Sequence, residues 1–176
     1  LHMNVISPPT SFLRHTSDVL IVGGGPAGTA AAITLARAGQ KVTIVDKATF
    51  PRDKCCGDGL TAGALRLLEQ LGLDPAKVPS WKPVDRVRIA GPKGETIAFD
   101  LPQDNGLFAV IARRAELDAA LVDLARSAGV EVREGVTLQS IDQQPDRVIA
   151  NTSDGVFEAA AYLAADGMWS PSRKLL

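Results

Sequence analysis

The stretch Asp18-Val-Leu-Ile-Val-Gly-Gly-Gly-Pro-Ala-Gly28 decides the fold of this chain. An apolar strand enters the pattern Gly23-x-Gly25-x-x-Gly28, and a helix rich in small residues follows. A second apolar run, from Val42 to Val45, then ends at Asp46. This order of strand, glycine turn, helix and strand is typical of a unit that binds a dinucleotide. The sequence therefore predicts an α/β fold with a Rossmann-like βαβ unit near its start.

Each glycine of the turn has a separate physical task. Gly23 allows the tight turn out of the strand, Gly25 lets a diphosphate approach the backbone, and Gly28 lets the helix pack close to the sheet. The helix begins at Pro26 and Ala27, where free N–H groups and a partial positive charge face the phosphate oxygens. The alternative is a glycine-rich turn that only packs, and it leaves the acid at the end of the second strand unexplained.

An acidic residue about 20 positions after the turn completes the pattern. Asp46 occupies this position, where a carboxylate can accept hydrogen bonds from ribose hydroxyls. Lys47, which follows it directly, is a further candidate for cofactor binding. Together with the turn, these residues predict that the unit binds a dinucleotide.

Composition limits the class of protein without identifying it. The chain has 176 residues, of which 45% are apolar and 22% charged, as in an ordinary globular domain. Its net charge of −1 argues against a nucleic-acid partner, because such a surface needs a basic excess. No apolar run is long enough to cross a bilayer. Residues 1–16 lack the features of a secretory signal and are expected to form a flexible lead-in.

The histidines and cysteines exclude several kinds of catalytic site. His2 and His15 both fall in the lead-in, so the folded part is expected to offer no imidazole for a Ser–His triad. Cys55 and Cys56 are adjacent, which is not a zinc-ligand spacing, and no metal site is predicted. Two isolated thiols suit a reducing cytosol, so a cytoplasmic location is expected. The chemistry is then expected to come from a bound cofactor.

The remainder of the chain alternates helices and strands. Helices are predicted from Thr61 to Leu71 and from about Arg113 to Ala128, where apolar residues recur at helical spacing. Alternating apolar and polar residues predict two hairpins, at 84–101 and at 147–161. Short strands are predicted at 108–111, 130–132, 137–142 and 162–165. Residues 17–176 are therefore expected to form one domain around a central parallel sheet.

Three motifs occur along the chain: the glycine turn with Asp46, the segment Arg114-Ala-Glu-Leu-Asp118, and the segment Ala165-Asp166-Gly167-Met-Trp-Ser170-Pro-Ser-Arg173. Their kind and order resemble the FAD-dependent oxidoreductases related to para-hydroxybenzoate hydroxylase. The resemblance covers nearly all of residues 17–176. It implies that the dinucleotide is FAD.

The resemblance also implies roles for single residues. Asp166 would accept bonds from the ribityl chain while Gly167 gives the turn room, and a plain surface turn is the alternative. Arg114 would reach toward the FAD phosphate or ribityl region, with a solvated arginine at the helix start as the alternative. Thr137 is a further candidate for cofactor binding. Asp118 is expected to cap or to pack.

A narrower resemblance lies in Phe50-Pro51-Arg52-Asp-Lys54-Cys-Cys56-Gly57-Asp58-Gly59-Leu60, which is similar to a segment of geranylgeranyl reductases. It implies that Cys56 is the catalytic thiol and faces the flavin ring. The residues alone favour a core thiol equally, and for Arg52 they favour a solvated loop almost as much as a phosphate contact. The loop residues expected at the cofactor are Arg52, Gly57, Asp58 and Gly59.

The two resemblances imply an FAD-dependent oxidoreductase that reduces an isoprenoid lipid or prenyl-quinone. NAD(P)H or an electron-carrier protein would supply the electrons, and the whole enzyme would contact the membrane peripherally. An aromatic hydroxylase or halogenase is the alternative enzyme, and a non-catalytic FAD-binding fragment is the alternative outside that class. Relative to the family the domain is expected to be incomplete, and the hairpin near 84–101 is expected to contribute to the edge of the substrate domain.

Overall fold

A computed structural model describes residues 13–102, 106 and 108–176. In chain order the elements are β1 (Arg14–Val22), α1 (Pro26–Arg37), β2 (Val42–Asp46), β3 (Gly59–Thr61), α2 (Ala62–Gln70), a 3-10 turn (Pro75–Lys77), β4 (Lys82–Pro83), β5 (Arg86–Ala90), β6 (Thr96–Asp100), β7 (Ala109–Ile111), α3 (Arg114–Ser127), β8 (Glu131–Glu134), β9 (Leu138–Gln143), β10 (Val148–Thr152), β11 (Gly155–Ala164) and α4 (Ser172–Leu175). Most of the predicted lead-in, residues 1–12, lies outside the described residues. Residues 14–16 already belong to β1, so the prediction of a flexible lead-in is wrong for these three.

The central sheet has six strands in the order β8-β2-β1-β11-β10-β9. The first four run parallel, and β10 and β9 extend the sheet with antiparallel pairing. The α/β fold class is confirmed, but the sheet is mixed where a parallel one was predicted. Residues 155–164 form one strand, not the predicted two, because β1 pairs with β11 along almost its whole length and stabilises it as one extended segment.

Apolar residues on the two faces of the sheet form separate clusters. On one face α1 and α3 cover the strands, and on the other the residues of β1, β2 and β11 pack with those of β9 and β10. Along β1, Ile21 points to the helices whereas Leu20 and Val22 point to the opposite face. A slip of one residue would exchange these faces, so the apolar pattern fixes the register of the strand.

A third apolar cluster joins α2 and α3 to the small sheet β3-β7-β4. The hairpin of β5 and β6 forms a separate two-stranded sheet, and all of its strand residues are exposed. Its cross-strand pairs Val87–Phe99 and Ile89–Ile97 lie on one face, since residues two apart in a strand share a face. The contribution of this hairpin to a substrate domain stays a prediction.

His15 shows that the expectation of no imidazole in the folded part is wrong. It lies in β1, where its ring stacks on Phe157 with the centroids 4.5 Å apart. Its Nδ1 lies 3.1 Å from a guanidinium nitrogen of Arg133. Val22 lies seven positions further along the strand, about 23 Å at the rise of a strand. The imidazole is therefore far from the end of β1 that carries the glycine turn.

The helices are short. The longest in the described part of the chain is α3, with 14 residues. Within the described ranges, no helix combines the length and the apolar character that crossing a membrane requires.

Candidate cofactor site

Four of the predicted site residues lie at one edge of the central sheet. β1, β2, β8 and β11 run parallel, so their carboxyl ends lie at the same edge, where open α/β sheets bind ligands. Gly23 follows β1, Asp46 ends β2, Thr137 follows β8 and Asp166 follows β11. The topology therefore brings together residues that are far apart in the sequence.

Two glycines of the turn are required by close backbone contacts. Gly23 has a φ of +110°, and a Cβ there would lie 2.3 Å from the carbonyl oxygen of Ala165. A Cβ on Gly28 would lie 1.9 Å from the carbonyl oxygen of Gly23. A side chain on Gly23 would push the turn away from the residues that follow β11. A side chain on Gly28 would push α1 away from the turn. These contacts agree with the tasks predicted for both residues.

Gly25 has no such contact. Its φ of −75° and ψ of −177° are open to any residue. The nearest described atom to a Cβ there is Nη2 of Arg52, at 3.5 Å. Pro26 begins α1 and is half-buried, while Ala27 is exposed. The first N–H groups of a helix have no acceptor within it, so those of Ala27 and Gly28 have none within α1.

Asp46 ties the turn to the end of β2. Its carboxylate is almost fully buried and accepts hydrogen bonds from the N–H of Gly24 at 2.7 Å and the N–H of Ala48 at 2.8 Å. A carboxylate has about four acceptor positions, so bonds to ribose hydroxyls are compatible with these two. Lys47 is exposed. The roles of Asp46 and Lys47 toward a cofactor stay predictions.

Asp118 packs in the interior, as expected, and lies between two arginines, but it does not cap α3, whose N-cap residue is Arg113. Its carboxylate is fully buried and accepts two hydrogen bonds from Arg114, at 2.8 and 2.9 Å. Nη2 of Arg52 lies 3.3 Å from the same carboxylate. The bonds to Asp118 are the main reason that the pKa of the Arg114 guanidinium is raised. We call Arg52, Asp118 and Arg114 the arginine clamp.

Arg52 lies beside the glycine turn, so the alternative of a solvated loop is wrong for this side chain. The side chain is 18% exposed, and its guanidinium lies 5.0 Å from the centroid of the Phe50 ring. Within the described part of the chain, its Nη1 is buried and has no hydrogen-bond partner. The same Phe50 ring lies against the turn, since a Cβ on Gly24 would be 3.1 Å from it.

The cysteine loop, residues 55–59, is hydrogen-bonded to the start of α3 and to the residues just before it. Asp58 has a left-handed backbone with a φ of +55°. Its carboxylate accepts from the N–H of Arg114 at 3.1 Å, and its carbonyl oxygen accepts from the N–H of Ala112 at 2.9 Å. Gly59 begins β3 and pairs with Ile111 of β7. No described atom lies within 4 Å of a Cβ built on Gly57.

Cys56 is exposed, so the alternative of a core thiol is wrong. A hydrogen bond from the backbone of Asp58, followed by one from the Arg114 guanidinium, lowers the pKa of this thiol. The predicted contact with the flavin and the catalytic role of Cys56 stay predictions. Among the described residues, no group of three or more His, Cys, Asp or Glu side chains could hold a metal ion.

Asp166 organises the segment that follows β11. Its carboxylate accepts from the N–H of Ser172 at 2.9 Å and from the Ser172 hydroxyl at 2.7 Å, and that hydroxyl also bonds to Tyr162. Burial raises the pKa of the Asp166 carboxyl, but the bonds from Ser170 and Ser172 outweigh it and hold the pKa below its usual value. Gly167 has a φ of +82°. A plain surface turn would need none of these bonds, while the contact with a ribityl chain stays a prediction.

Thr137 is an exposed residue of the connection between β8 and β9. Its N–H donates to the Ser153 hydroxyl at 2.9 Å, and its carbonyl oxygen accepts from the Ser153 N–H at 3.0 Å. These bonds hold the backbone near the sheet edge. They do not test a role of Thr137 in cofactor binding.

Sequence reasoning missed Asp118 and Phe50 as members of this site. The spacing of Arg114 and Asp118, four residues apart on a helix, was a signal for their ion pair. For Phe50 the signal was its place in the Phe-Pro-Arg segment two residues before Arg52. Neither signal indicated that Arg52 would meet Asp118, because the two are distant in the sequence.

Comparison with known proteins places this geometry among flavoproteins. A protein-family model described as FAD binding domain matches residues 16–176. Menaquinone reductase of Mycobacterium tuberculosis is 37% identical over 169 residues, which cover 91% of this chain and 40% of that protein. The chain thus spans about 40% of the length of this curated relative.

Two solved structures extend the comparison. A geranylgeranyl bacteriochlorophyll reductase-like protein of Thermoplasma acidophilum matches with a TM-score of 0.73 and 27% identity, over 89% of this chain and 40% of that one. The p-nitrophenol 4-monooxygenase of Pseudomonas putida matches with a TM-score of 0.78 and 26% identity, over 92% of this chain and 44% of that one. The fold is therefore shared by reductase-like and monooxygenase flavoproteins.

Proposed function

This chain belongs to the FAD-binding domain family, and from that premise we propose that it holds the FAD of an oxidoreductase that saturates isoprenoid double bonds. The single observation that carries the choice of reaction is the cysteine loop. It presents an exposed thiol, Cys56, on a loop that Asp58 fixes to the helix bearing Arg114. The likeness to menaquinone reductase and to the geranylgeranyl reductase-like protein supports the same choice.

The residues at the sheet edge fit a dinucleotide. The diphosphate would lie beside Gly25, against the free N–H groups of α1. Arg52 supports this placement, because its buried Nη1 has no partner among the described residues and Nη2 lies 3.5 Å from a Cβ built on Gly25. Asp46 would bind the adenosine ribose and Asp166 the ribityl chain. Further candidate contacts are Gly23, Pro26, Ala27, Gly28, Lys47, Gly57, Asp58, Gly59, Arg114, Thr137 and Gly167.

Reduced FAD, when bound, supplies a hydride. Saturation of an isolated double bond also needs one proton, so that one C–H bond forms at each carbon. Cys56 is our candidate for the proton donor, because its thiol is exposed and its lowered pKa eases loss of the proton. His15 is not a candidate, since it lies about 23 Å of strand away from the glycine turn.

The remaining parts of the proposal concern electrons, substrate and location. NAD(P)H or an electron-carrier protein would reduce the flavin. The substrate would be an isoprenoid lipid or a prenyl-quinone. A cytoplasmic protein with peripheral membrane contact would reach such a substrate, because the prenyl chain resides in the lipid phase.

A flavin-dependent monooxygenase is the second candidate. The likeness to p-nitrophenol 4-monooxygenase, with a TM-score of 0.78, favours it, because the two proteins share the fold. A monooxygenase would consume oxygen and add an oxygen atom to its substrate. The two candidates therefore differ in the mass of the product.

The test uses the complete natural protein with a prenylated quinone and dithionite, under strict exclusion of oxygen. We expect a mass gain of two hydrogens for each bond reduced. The Cys56→Ser variant should lose most of this rate, with Cys55→Ser as its matched control. Turnover that requires oxygen and adds an oxygen atom would contradict the reductase and favour the monooxygenase.

A further inference from the structure

We propose that Asp118 is a positioning residue, which holds Arg52 where its guanidinium can bind the diphosphate of FAD. The inference rests on the proposed function for the identity of the ligand. The sequence alone suggested only capping or packing for this residue.

The geometry of the arginine clamp carries the argument. Asp118 is fully buried in α3 and makes a two-pronged bond to Arg114, four residues before it. The third contact is Nη2 of Arg52, at 3.3 Å. Arg52 comes from the loop between β2 and β3, so Asp118 joins this loop to α3.

The charges of the clamp leave a place for an anion. Two guanidinium groups and one carboxylate sum to one excess positive charge. Two nitrogens of Arg114 contact the Asp118 carboxylate, whereas only one nitrogen of Arg52 contacts it. The other terminal nitrogen of Arg52, Nη1, is buried without a partner among the described residues. An unpaired buried donor is costly, and a phosphate oxygen would satisfy it with a charge-assisted bond.

The contact with Asp118 is what keeps this donor beside the turn. The Phe50 ring, 5.0 Å from the guanidinium, supports Arg52 from one side, and Asp118 supplies an ion pair. Without the carboxylate, two guanidinium groups would face each other in a poorly solvated place and repel. Arg52, which sits on a loop, would then turn toward solvent and leave the neighbourhood of Gly25.

The first experiment follows Arg52 in the cofactor-free 176-residue chain by NMR. The Phe50 ring should shift the side-chain signals of Arg52 upfield, and Arg52→Lys identifies these signals. In Asp118→Asn we expect the shift to collapse toward that of exposed arginines. The matched control is Asp123→Asn on the same helix, because Asp123 is 77% exposed and pairs only with Arg126 among the described residues. An unchanged Arg52 shift in Asp118→Asn would overturn the proposal.

The second experiment is a double-mutant cycle on FAD affinity, with circular dichroism as the check on folding. Arg52→Met keeps Asp118 paired with Arg114 and should weaken FAD binding by about 10- to 100-fold, the loss of one charge-assisted bond. Asp118→Asn should weaken it comparably alone, but less than about twofold when Arg52 is already methionine. If Asp118→Asn lowered FAD affinity equally in the wild-type chain and in Arg52→Met, the positioning role would be overturned. Tighter FAD binding by Asp118→Asn would overturn it as well.

The two experiments separate the inference from the proposed function. If the wild-type chain shows no saturable FAD binding, the proposed function fails, and the NMR comparison still decides the role of Asp118. If Asp118→Asn does not fold, the FAD affinity of Arg52→Lys is measured in its place. A lysine keeps the charge but cannot contact Asp118 and a phosphate through two separate nitrogens, so FAD affinity should fall about tenfold. An unchanged affinity would overturn the proposal.

Discussion

The glycine turn, residues 23–28, and the cysteine loop, residues 55–59, both carry glycines but use them differently. In the turn, a Cβ on Gly23 or Gly28 would lie 2.3 or 1.9 Å from a backbone oxygen. In the loop, no described atom lies within 4 Å of a Cβ on Gly57, and the nearest to one on Gly59 is at 3.8 Å. The packing of the chain requires the first pair and leaves the second pair free.

This difference separates two reasons for a glycine. Gly23 and Gly28 are needed for the fold, because the turn contacts the backbone after β11 and the helix contacts the turn. Gly57 and Gly59 have room for a side chain, as does Gly25 within the turn itself. We interpret the second kind as glycines that leave room for a ligand. Substitutions at the two kinds of position should therefore affect stability and binding differently.

The largest effect is expected for Gly28→Ala. Its Cβ would overlap the carbonyl oxygen of Gly23, and the backbone must move to accept it. Overpacking of this kind costs roughly 3 kcal/mol or more, well above the gain of about 1 kcal/mol from alanine in a helix. Urea unfolding would measure the loss. The matched control Gly57→Ala should stay within about 0.5 kcal/mol of wild type, and equal losses would contradict the comparison.

The next effect is expected for Asp46→Ala. It leaves the buried N–H of Gly24 without its acceptor, so the free energy of unfolding should fall by about 2 kcal/mol. If Asp46 also binds the ribose, FAD affinity should fall by one to two orders of magnitude. Chemical denaturation measures the free energy of unfolding, and FAD titration measures the affinity. Normal FAD affinity in the folded variant would place the ribose elsewhere.

A smaller loss of stability is expected in the cysteine loop for Asp58→Ala. The Asp58 carboxylate accepts from the first N–H of α3, so its removal should cost about 1 kcal/mol, as for other helix caps. Alanine is also less suited than aspartate to the left-handed backbone at this position. Asp58→Asn keeps an acceptor and tolerates that backbone. It should therefore unfold close to wild type, and a loss as large as that of alanine would contradict the capping role.

The smallest effect is expected for the pH dependence of Cys56 alkylation, because water screens charges around an exposed thiol. The Asp58 backbone and Arg114 lower the pKa of this thiol, so the thiolate forms at lower pH than in an ordinary cysteine. In a Cys55→Ser background, Arg114→Met should raise the midpoint of the iodoacetamide rate against pH. If the two proteins gave the same dependence of alkylation rate on pH, Arg114 would not be a cause of the lowered pKa of Cys56.

The first βαβ unit could be predicted from the sequence because its signals are local. The apolar run of β1, the glycines and Asp46 all lie within about 30 residues, the size of such a unit. β3 was missed because it is three residues long and forms only by pairing with β7, about 50 positions later. The first residues of β1 were missed for the same reason, since β11 supplies their partners. Short strands depend on distant pairing, which a single sequence does not display.

The residues of the candidate site also fall into two groups: those that local spacing predicts, and those that only the fold brings together. The glycine turn and Asp46 were found from spacing, whereas Asp118 was assigned only to capping or packing. Its contact with Arg52 joins two segments that no periodicity relates. The exposure of Cys56 could not be decided from the sequence either, because a glycine-rich loop is compatible with both a buried and an exposed thiol. Asp58 is only two residues away, but Arg114 meets the thiol only through the fold.

The most direct test of the central claim is FAD titration of the wild-type chain and of Gly25→Val, followed by flavin fluorescence. Gly25 has an extended backbone, and only the flexible end of Arg52 lies near its Cβ position, so the variant should keep its melting temperature. We expect saturable FAD binding by wild type and a loss of affinity of at least about tenfold in the variant. Equal FAD affinity in a folded Gly25→Val chain would contradict a diphosphate site at the glycine turn.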